Sequence, residues 1–280
     1  MIKIIECPRD AMQGIEKFIP TKKKISYINQ LLKVGFDTVD FGSFVSERAI
    51  PQLKDTNEVL KGLDLSVSST KLLSIIANVR GAEDACNYDE INYLGFPLSV
   101  SEEFQQRNTN KSIEEAIITV DKIQTLSVKY NKELVVYLSM AFGNPYDEDY
   151  HPDIVAELTK KLNQLEINTI ALSDTIGVAN PSNIGLLCNT LISEYTNIEF
   201  GAHFHTTTEK WKEKIKSAYK NGCRRFDSAI KGYGGCPMAN NEMIGNMPTE
   251  KLVSYFKEDL EINLNEFEKS LEMSSNVFIK

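Results

Sequence analysis

Short β-branched or apolar runs alternate with longer amphipathic stretches along the whole chain. The runs at 2–7, 37–42, 72–78, 91–97, 133–140, 168–174, 198–204 and 224–229 predict strands. Apolar positions at three- and four-residue steps predict helices near 21–34, 51–61, 80–87, 112–130, 153–165, 181–194 and 209–221, with a last one near 249–257. Ile25, Ile28, Leu31 and Leu32 have the spacing of one buried helix face. Leu134-Val135-Val136-Tyr137-Leu138 is unbroken, as expected of a strand covered on both sides. Thr21 and the pair Asn180-Pro181 are helix starts. Eight strand–helix units without a linker predict an α/β fold, a single-domain (β/α)8 TIM barrel over 1–280, with a C-terminal helical segment (about 249–280) packed on it. The competing fold, a doubly wound open sheet, often has a glycine-rich turn after its first strand. Here Pro8-Arg9-Asp10-Ala11-Met12-Gln13 follows instead.

Composition narrows the class. With 280 residues, 42% of them hydrophobic, the chain can build one large core. Asp and Glu outnumber Lys and Arg, 39 to 31, for a net charge of −8, which argues against a face that neutralises nucleic-acid phosphates. No apolar run approaches the roughly 20 residues of a membrane span. Met1-Ile2-Lys3-Ile4-Ile5 enters the first strand directly, and the expected compartment is the cytoplasm. Cys7, Cys86, Cys188, Cys223 and Cys236 are odd in number and lack a CxxC pair, which argues against a disulfide framework or structural zinc.

A barrel enzyme carries its chemistry at the C-terminal ends of its strands. His203 and His205 sit i, i+2 at the end of the seventh predicted strand and point to the same side. Alone, such a pair is more often structural than metal-binding. Asp10 follows the first strand, close to the seventh once a barrel closes; it is either a turn or cap residue or the carboxylate of a facial two-His, one-carboxylate set. Mixed nitrogen and oxygen donors suit a divalent ion such as Mg²⁺, Mn²⁺ or Fe²⁺. Arg9 is either a salt bridge beneath the loop or a charge for a developing enolate or a carboxylate. Gly232-Tyr233-Gly234-Gly235-Cys236-Pro237 reads as a long turn with an incidental thiol, or as a lid delivering Cys236 as acid or base. Asn246 offers an amide oxygen as a fourth ligand, or is a turn residue. Asp40 and Asp174 end predicted strands two and six, at the expected mouth. The other four cysteines read as packing residues, His151 as solvated, and Trp211 with Lys214 as an ordinary surface pair at i, i+3.

Several segments share one likeness. Pro8-Arg9-Asp10-Ala11-Met12-Gln13 is similar to the motif PRDGLQ. Ser43-Phe44-Val45-Ser46, Ser101-Glu102-Glu103-Phe104 through Asn108-Thr109-Asn110, and Ser173-Asp174-Thr175-Ile176-Gly177-Val178 belong to the same pattern. So do His203-Phe204-His205, Gly234-Gly235-Cys236-Pro237, and Gly245-Asn246 leading to Thr249-Glu250. From residue 2 to about 255 the chain resembles the 3-hydroxy-3-methylglutaryl-CoA lyases, members of the DRE-TIM metallolyases. The RD and HxH motifs are shared with isopropylmalate and homocitrate synthases, whereas the glycine-rich loop with Cys236 favours the lyases.

The resemblance implies Mg²⁺ or Mn²⁺ held by Asp10, His203, His205 and Asn246. Catalysis would fall to Arg9, Asp10, His203 and Cys236, and substrate binding to Gln13, Asp40 and Asp174. It also implies an acyl-CoA substrate, a homodimer, and cleavage of 3-hydroxy-3-methylglutaryl-CoA to acetyl-CoA and acetoacetate. The alternatives are a related lyase for another 3-hydroxyacyl-CoA, a Claisen-type acyltransferase, and a silent barrel that only binds. Four departures surround the site: Ala11 replaces a glycine, Asp40 a glutamate and Thr206-Thr207-Thr208-Glu209 an Asp-Thr-Tyr-Gly run, and one residue is added between Cys236 and Asn246.

Overall fold

All eight apolar runs become strands of one sheet in the computed structural model, which describes residues 1–235 and 244–278. They are β1 (Lys3–Glu6), β2 (Thr38–Ser43), β3 (Lys71–Ile75), β4 (Ile91–Ser99), β5 (Glu133–Ser139), β6 (Thr169–Asp174), β7 (Glu199–Thr206) and β8 (Arg225–Ser228). Each pairs in parallel with the next, and β8 pairs with β1, closing the barrel. A ninth strand, β9 (Gly245–Asn246), lies antiparallel on the end of β7 and sets Asn246 opposite His205.

The helices are α1 (Pro8–Gln13), α2 (Thr21–Leu32), α3 (Thr56–Lys61), α4 (Val79–Cys86), α5 (Glu102–Thr109), α6 (Ile113–Lys129), α7 (Pro152–Gln164), α8 (Pro181–Glu194), α9 (Trp211–Lys220), α10 (Thr249–Tyr255) and α11 (Leu264–Val277). Apolar spacing does not predict α1 and α5, because beyond Pro8 α1 offers only the adjacent Ala11 and Met12, and α5 only Phe104, too few apolar side chains to show a period. The helix expected over 51–61 divides into a 3₁₀ turn at Pro51–Leu53 and α3. Caps follow the local chemistry: Ser112 with Glu115, and Asn180 with Asn183, each form a reciprocal capping box. α11 packs on α2, where Phe278 meets Tyr27 edge-on at 5.5 Å and Gln30 donates to the Glu266 carbonyl. Among the described residues no helix is long and apolar enough to cross a membrane.

Strand alternation divides the core in two. Leu73, Ile75, Tyr93, Val135, Tyr137 and Ala171 form a small cluster inside the barrel. Ile4, Ile170, Leu172, Phe200, Phe204 and Phe226 belong to the larger layer between strands and helices. At the N-terminal end of the barrel, Lys3 pairs with Glu199 at 2.6 Å and Lys71 donates to the Tyr93 hydroxyl. The other end stays open.

Candidate metal centre and substrate pocket

A cavity of about 470 Å³ opens where the strands end. Its walls include Arg9, Asp10, Asp40, His203, His205 and Asp227, with apolar Val45, Ile50, Ile75 and Phe104 farther round. One donor atom each from Asp10, His203 and His205 lie within 4.8 Å of one another. Pro8 starts α1 directly after β1, which swings Arg9 and Asp10 over the mouth. The loop after β8 then passes close above. Gly234 has φ +83°, and a Cβ there would lie 2.8 Å from the Asp10 carbonyl and 2.9 Å from Asn246 Nδ2, so any larger residue would push the centre apart.

Each histidine is oriented through Nδ1. His203 Nδ1 lies 3.1 Å from Asp227 Oδ2, and His205 Nδ1 lies 2.8 Å from the Thr175 carbonyl. A carbonyl only accepts, so His205 carries its proton on Nδ1 and leaves Nε2 with a free lone pair. That Nε2 is buried and has no hydrogen-bond partner among the described residues. The two rings diverge electrostatically. Burial works against a charge on His203, but Asp227 outweighs it and raises the pKa; burial and the neighbouring His203 lower that of His205. Burial opposes ionisation of Asp10, yet Arg9 and the two histidines hold its pKa below the usual carboxylate range.

Arg9 is pinned on three sides. Nε and Nη2 both donate to Asp40 Oδ2, at 2.9 and 2.7 Å, while Nη1 donates to Asp10 Oδ1 and to Gln13 Oε1. Burial disfavours the guanidinium charge, but Asp40 and Asp10 outweigh that and raise its pKa. Asp40, buried beneath it, is pushed up to about 6 despite the arginine.

The structure brings Arg9, Asp10, Gln13, Asp40, His203 and His205 to one cavity, with Asn246 bonded to Asp10 at its edge. Asn246 turns its amide nitrogen, not its oxygen, toward Asp10 Oδ2 at 2.6 Å and shares it with the Tyr233 carbonyl. Cys236 lies outside the described residues. Asp174 is a correction: it points away from the cavity into the helix layer, where Lys214 Nζ lies 2.5 Å from its Oδ2 and the Ala179 amide donates to its Oδ1. Its neighbours Ser173 and Thr175 line the pocket instead. Lys214 is a second correction, being fully buried rather than on the surface. Sequence reasoning also passed over Asp227 and Thr175, which aim the two rings. The available clue was parity, since Asp227 alternates with Phe226, whose side chain packs into the layer outside the barrel.

The sequence profile of the family described as HMGL-like matches residues 2–273. The hydroxymethylglutaryl-CoA lyase YngG of Bacillus subtilis is 34% identical over 258 residues, covering 92% of this chain and 85% of that protein. The crystal structure of the Bacillus subtilis HMG-CoA lyase superposes with a TM-score of 0.92 at 29% identity, over 99% of this chain and 93% of the other. An HMG-CoA lyase from Acinetobacter baumannii, in complex with coenzyme A and 3-methylmalate, gives 0.89 at 30% identity, over 99% and 91%. The matched profile spans nearly the whole barrel and includes every residue of the centre, so the chain belongs to the HMGL-like family.

Proposed function

We propose that this chain is a carbon–carbon lyase that cleaves 3-hydroxy-3-methylglutaryl-CoA to acetyl-CoA and acetoacetate, with Asp10, His203 and His205 holding a divalent cation, Mg²⁺ or Mn²⁺. The observation that carries the reading is the buried Nε2 of His205, without a partner among the described residues, beside Asp10 and His203 at the C-terminal mouth of the barrel. A mixed nitrogen and oxygen donor set of this kind suits such a cation. Bound there, it would polarise the substrate oxygens and lower the pKa of the C3 hydroxyl. For Asn246 to join as a fourth ligand, its side-chain amide has to turn its oxygen inward.

The reaction removes the C3 hydroxyl proton and breaks the C2–C3 bond. The electron pair passes to C2 as the enolate of acetyl-CoA, which takes a proton to become the product. Arg9, immobilised by Asp40, keeps a fixed positive charge at the mouth, where it stabilises the enolate oxygen as charge develops. His203, with Nδ1 turned to Asp227 and its pKa raised by that carboxylate, is suited to hold the hydroxyl proton on Nε2 when that nitrogen is off the cation, which Asp10 and His205 would then hold. Cys236 is the candidate donor to the enolate carbon, and a Cys236→Ser protein with unimpaired turnover would remove it from the scheme. An acyl-CoA substrate is supported by the coenzyme A in the related Acinetobacter structure.

The test is release of acetoacetate and acetyl-CoA from 3-hydroxy-3-methylglutaryl-CoA by the purified protein with Mg²⁺ or Mn²⁺. EDTA and a His205→Ala variant serve as controls. Cleavage that depends on the cation and is lost in the variant is expected. No cleavage with either cation overturns the reading.

A further inference from the structure

The Asp174–Lys214 pair takes no part in the chemistry above, yet it sits directly behind one of the histidines. Both side chains are wholly buried. Lys214 Nζ donates to Asp174 Oδ2 at 2.5 Å, to the His205 backbone carbonyl at 2.8 Å and to the Gly177 carbonyl at 3.2 Å. Asp174 Oδ1 accepts from the Ala179 amide at 3.0 Å. One ammonium therefore ties the end of β7 to the loop after β6, and one carboxylate ties that loop to itself.

The His205 ring is strung between those two segments. Its backbone belongs to β7, while its Nδ1–H is held by the Thr175 carbonyl, one residue past Asp174. Thr175 is fixed in turn, its hydroxyl accepting from the Met140 amide. Gly177, at φ +73°, lets the loop press on Ile244, just before β9. If β7 and the loop slide apart, the ring turns and Nε2 leaves the centre.

We infer that Lys214 is a positioning residue for metal binding: from α9 it clamps the His205 and Gly177 carbonyls and so fixes the imidazole whose Nε2 faces Asp10 and His203. The inference rests on His205 being a metal ligand. A purely structural role is the competing account, since any buried ammonium must be paired.

Two variants separate the accounts, Lys214→Met and the double Asp174→Asn/Lys214→Met. Removing Lys214 alone leaves a buried carboxylate unpaired and lowers stability, whereas the double variant is neutral within its own site. Mn²⁺ affinity, read from the free-ion EPR signal, is measured beside the urea midpoint of the metal-free protein. Partners that orient a ligand typically contribute 10- to 100-fold in metal affinity. The expected result is a double variant that regains most of the stability lost in Lys214→Met while its Mn²⁺ affinity stays at least about tenfold below wild type. A double variant that binds Mn²⁺ as wild type does overturns the inference and leaves the metal reading standing. A wild-type chain that does not bind Mn²⁺ overturns both.

Discussion

Among the described residues, the barrel strands and α1 carry five buried carboxylates, and they fall into two rings. Asp10, Asp40 and Asp227 line the cavity, while Glu6 and Asp174 face the helix layer. In the outer ring every oxygen is used. Glu6 accepts from the Ile230 amide and the Thr249 hydroxyl, and Asp174 from Lys214 and the Ala179 amide. In the inner ring, Asp40 Oδ1 and Asp227 Oδ1, like His205 Nε2, have no partner among the described residues. A buried polar atom without a partner lowers stability, so a cluster of them around one cavity marks capacity kept for a ligand. The saturated carboxylates that face the helix layer hold the architecture. The two rings use the same residue types, and bonding separates them.

That contrast orders the expected effects on turnover. Asp10→Asn strikes the inner ring hardest. A Lewis-acid contribution of several kcal/mol, at tenfold per 1.36 kcal/mol, makes a loss of about a thousandfold in kcat/KM the expected outcome. The urea midpoint should stay near wild type, and turnover retained within tenfold would break the comparison. Asp40→Asn comes next. It removes the charge that receives both Nε and Nη2 of Arg9, and hydrogen bonds to charged groups contribute about 1.5–3 kcal/mol. A fall of roughly 10- to 100-fold is expected, in kcat rather than KM, because Arg9 meets full charge only in the transition state. Asp174→Asn, in the outer ring, should behave oppositely. Lys214 left unpaired destabilises by about 3–5 kcal/mol in a urea titration. Turnover of the folded fraction should drop only about tenfold, through the slackened His205.

The barrel was legible because eight short β-branched or apolar runs, unbroken over Leu134–Leu138 in β5 and interrupted by polar residues in β2 and β8, recur between helical patterns, and that recurrence survives any uncertainty about their ends. The short helices α1 and α5 were not, as neither carries enough apolar side chains to repeat a pattern. In the site, the His203–His205 pair was legible from its two-residue spacing at a strand end. Asp174 was misplaced although its parity was available: it shares a face with Ile170 and Leu172, which pack against the helices, while Ala171 and Ser173 turn inward. Placing a polar residue at the mouth tells the end of the strand but not the side, and the side follows from where its large apolar neighbours go. Lys214 shows a different limit. Its partner lies 40 residues away in sequence, and no local pattern reports that contact.

Glu6 gives the smallest expected effect on turnover and the cleanest view of the outer ring. Parity with Ile4 sends it outward, where burial pushes its carboxyl up to about 8 from an ordinary 4.5. The folded chain therefore holds a proton that the unfolded chain has lost above about pH 4.5. The sign follows: this contribution to stability is complete below about pH 4.5, declines as pH rises, and is gone above about pH 8. A glutamine keeps the carbonyl that accepts from Ile230 and the bond to Thr249 but cannot ionise. Glu6→Gln should thus match wild type in turnover at neutral pH and in urea midpoint at pH 5. It should then exceed wild type increasingly from pH 6 to 9, by on the order of a few kcal/mol at the upper end. Parallel midpoint-against-pH curves for the two proteins would mean that Glu6 is ionised in the fold, and the outer ring would then hold a free charge as the inner one does.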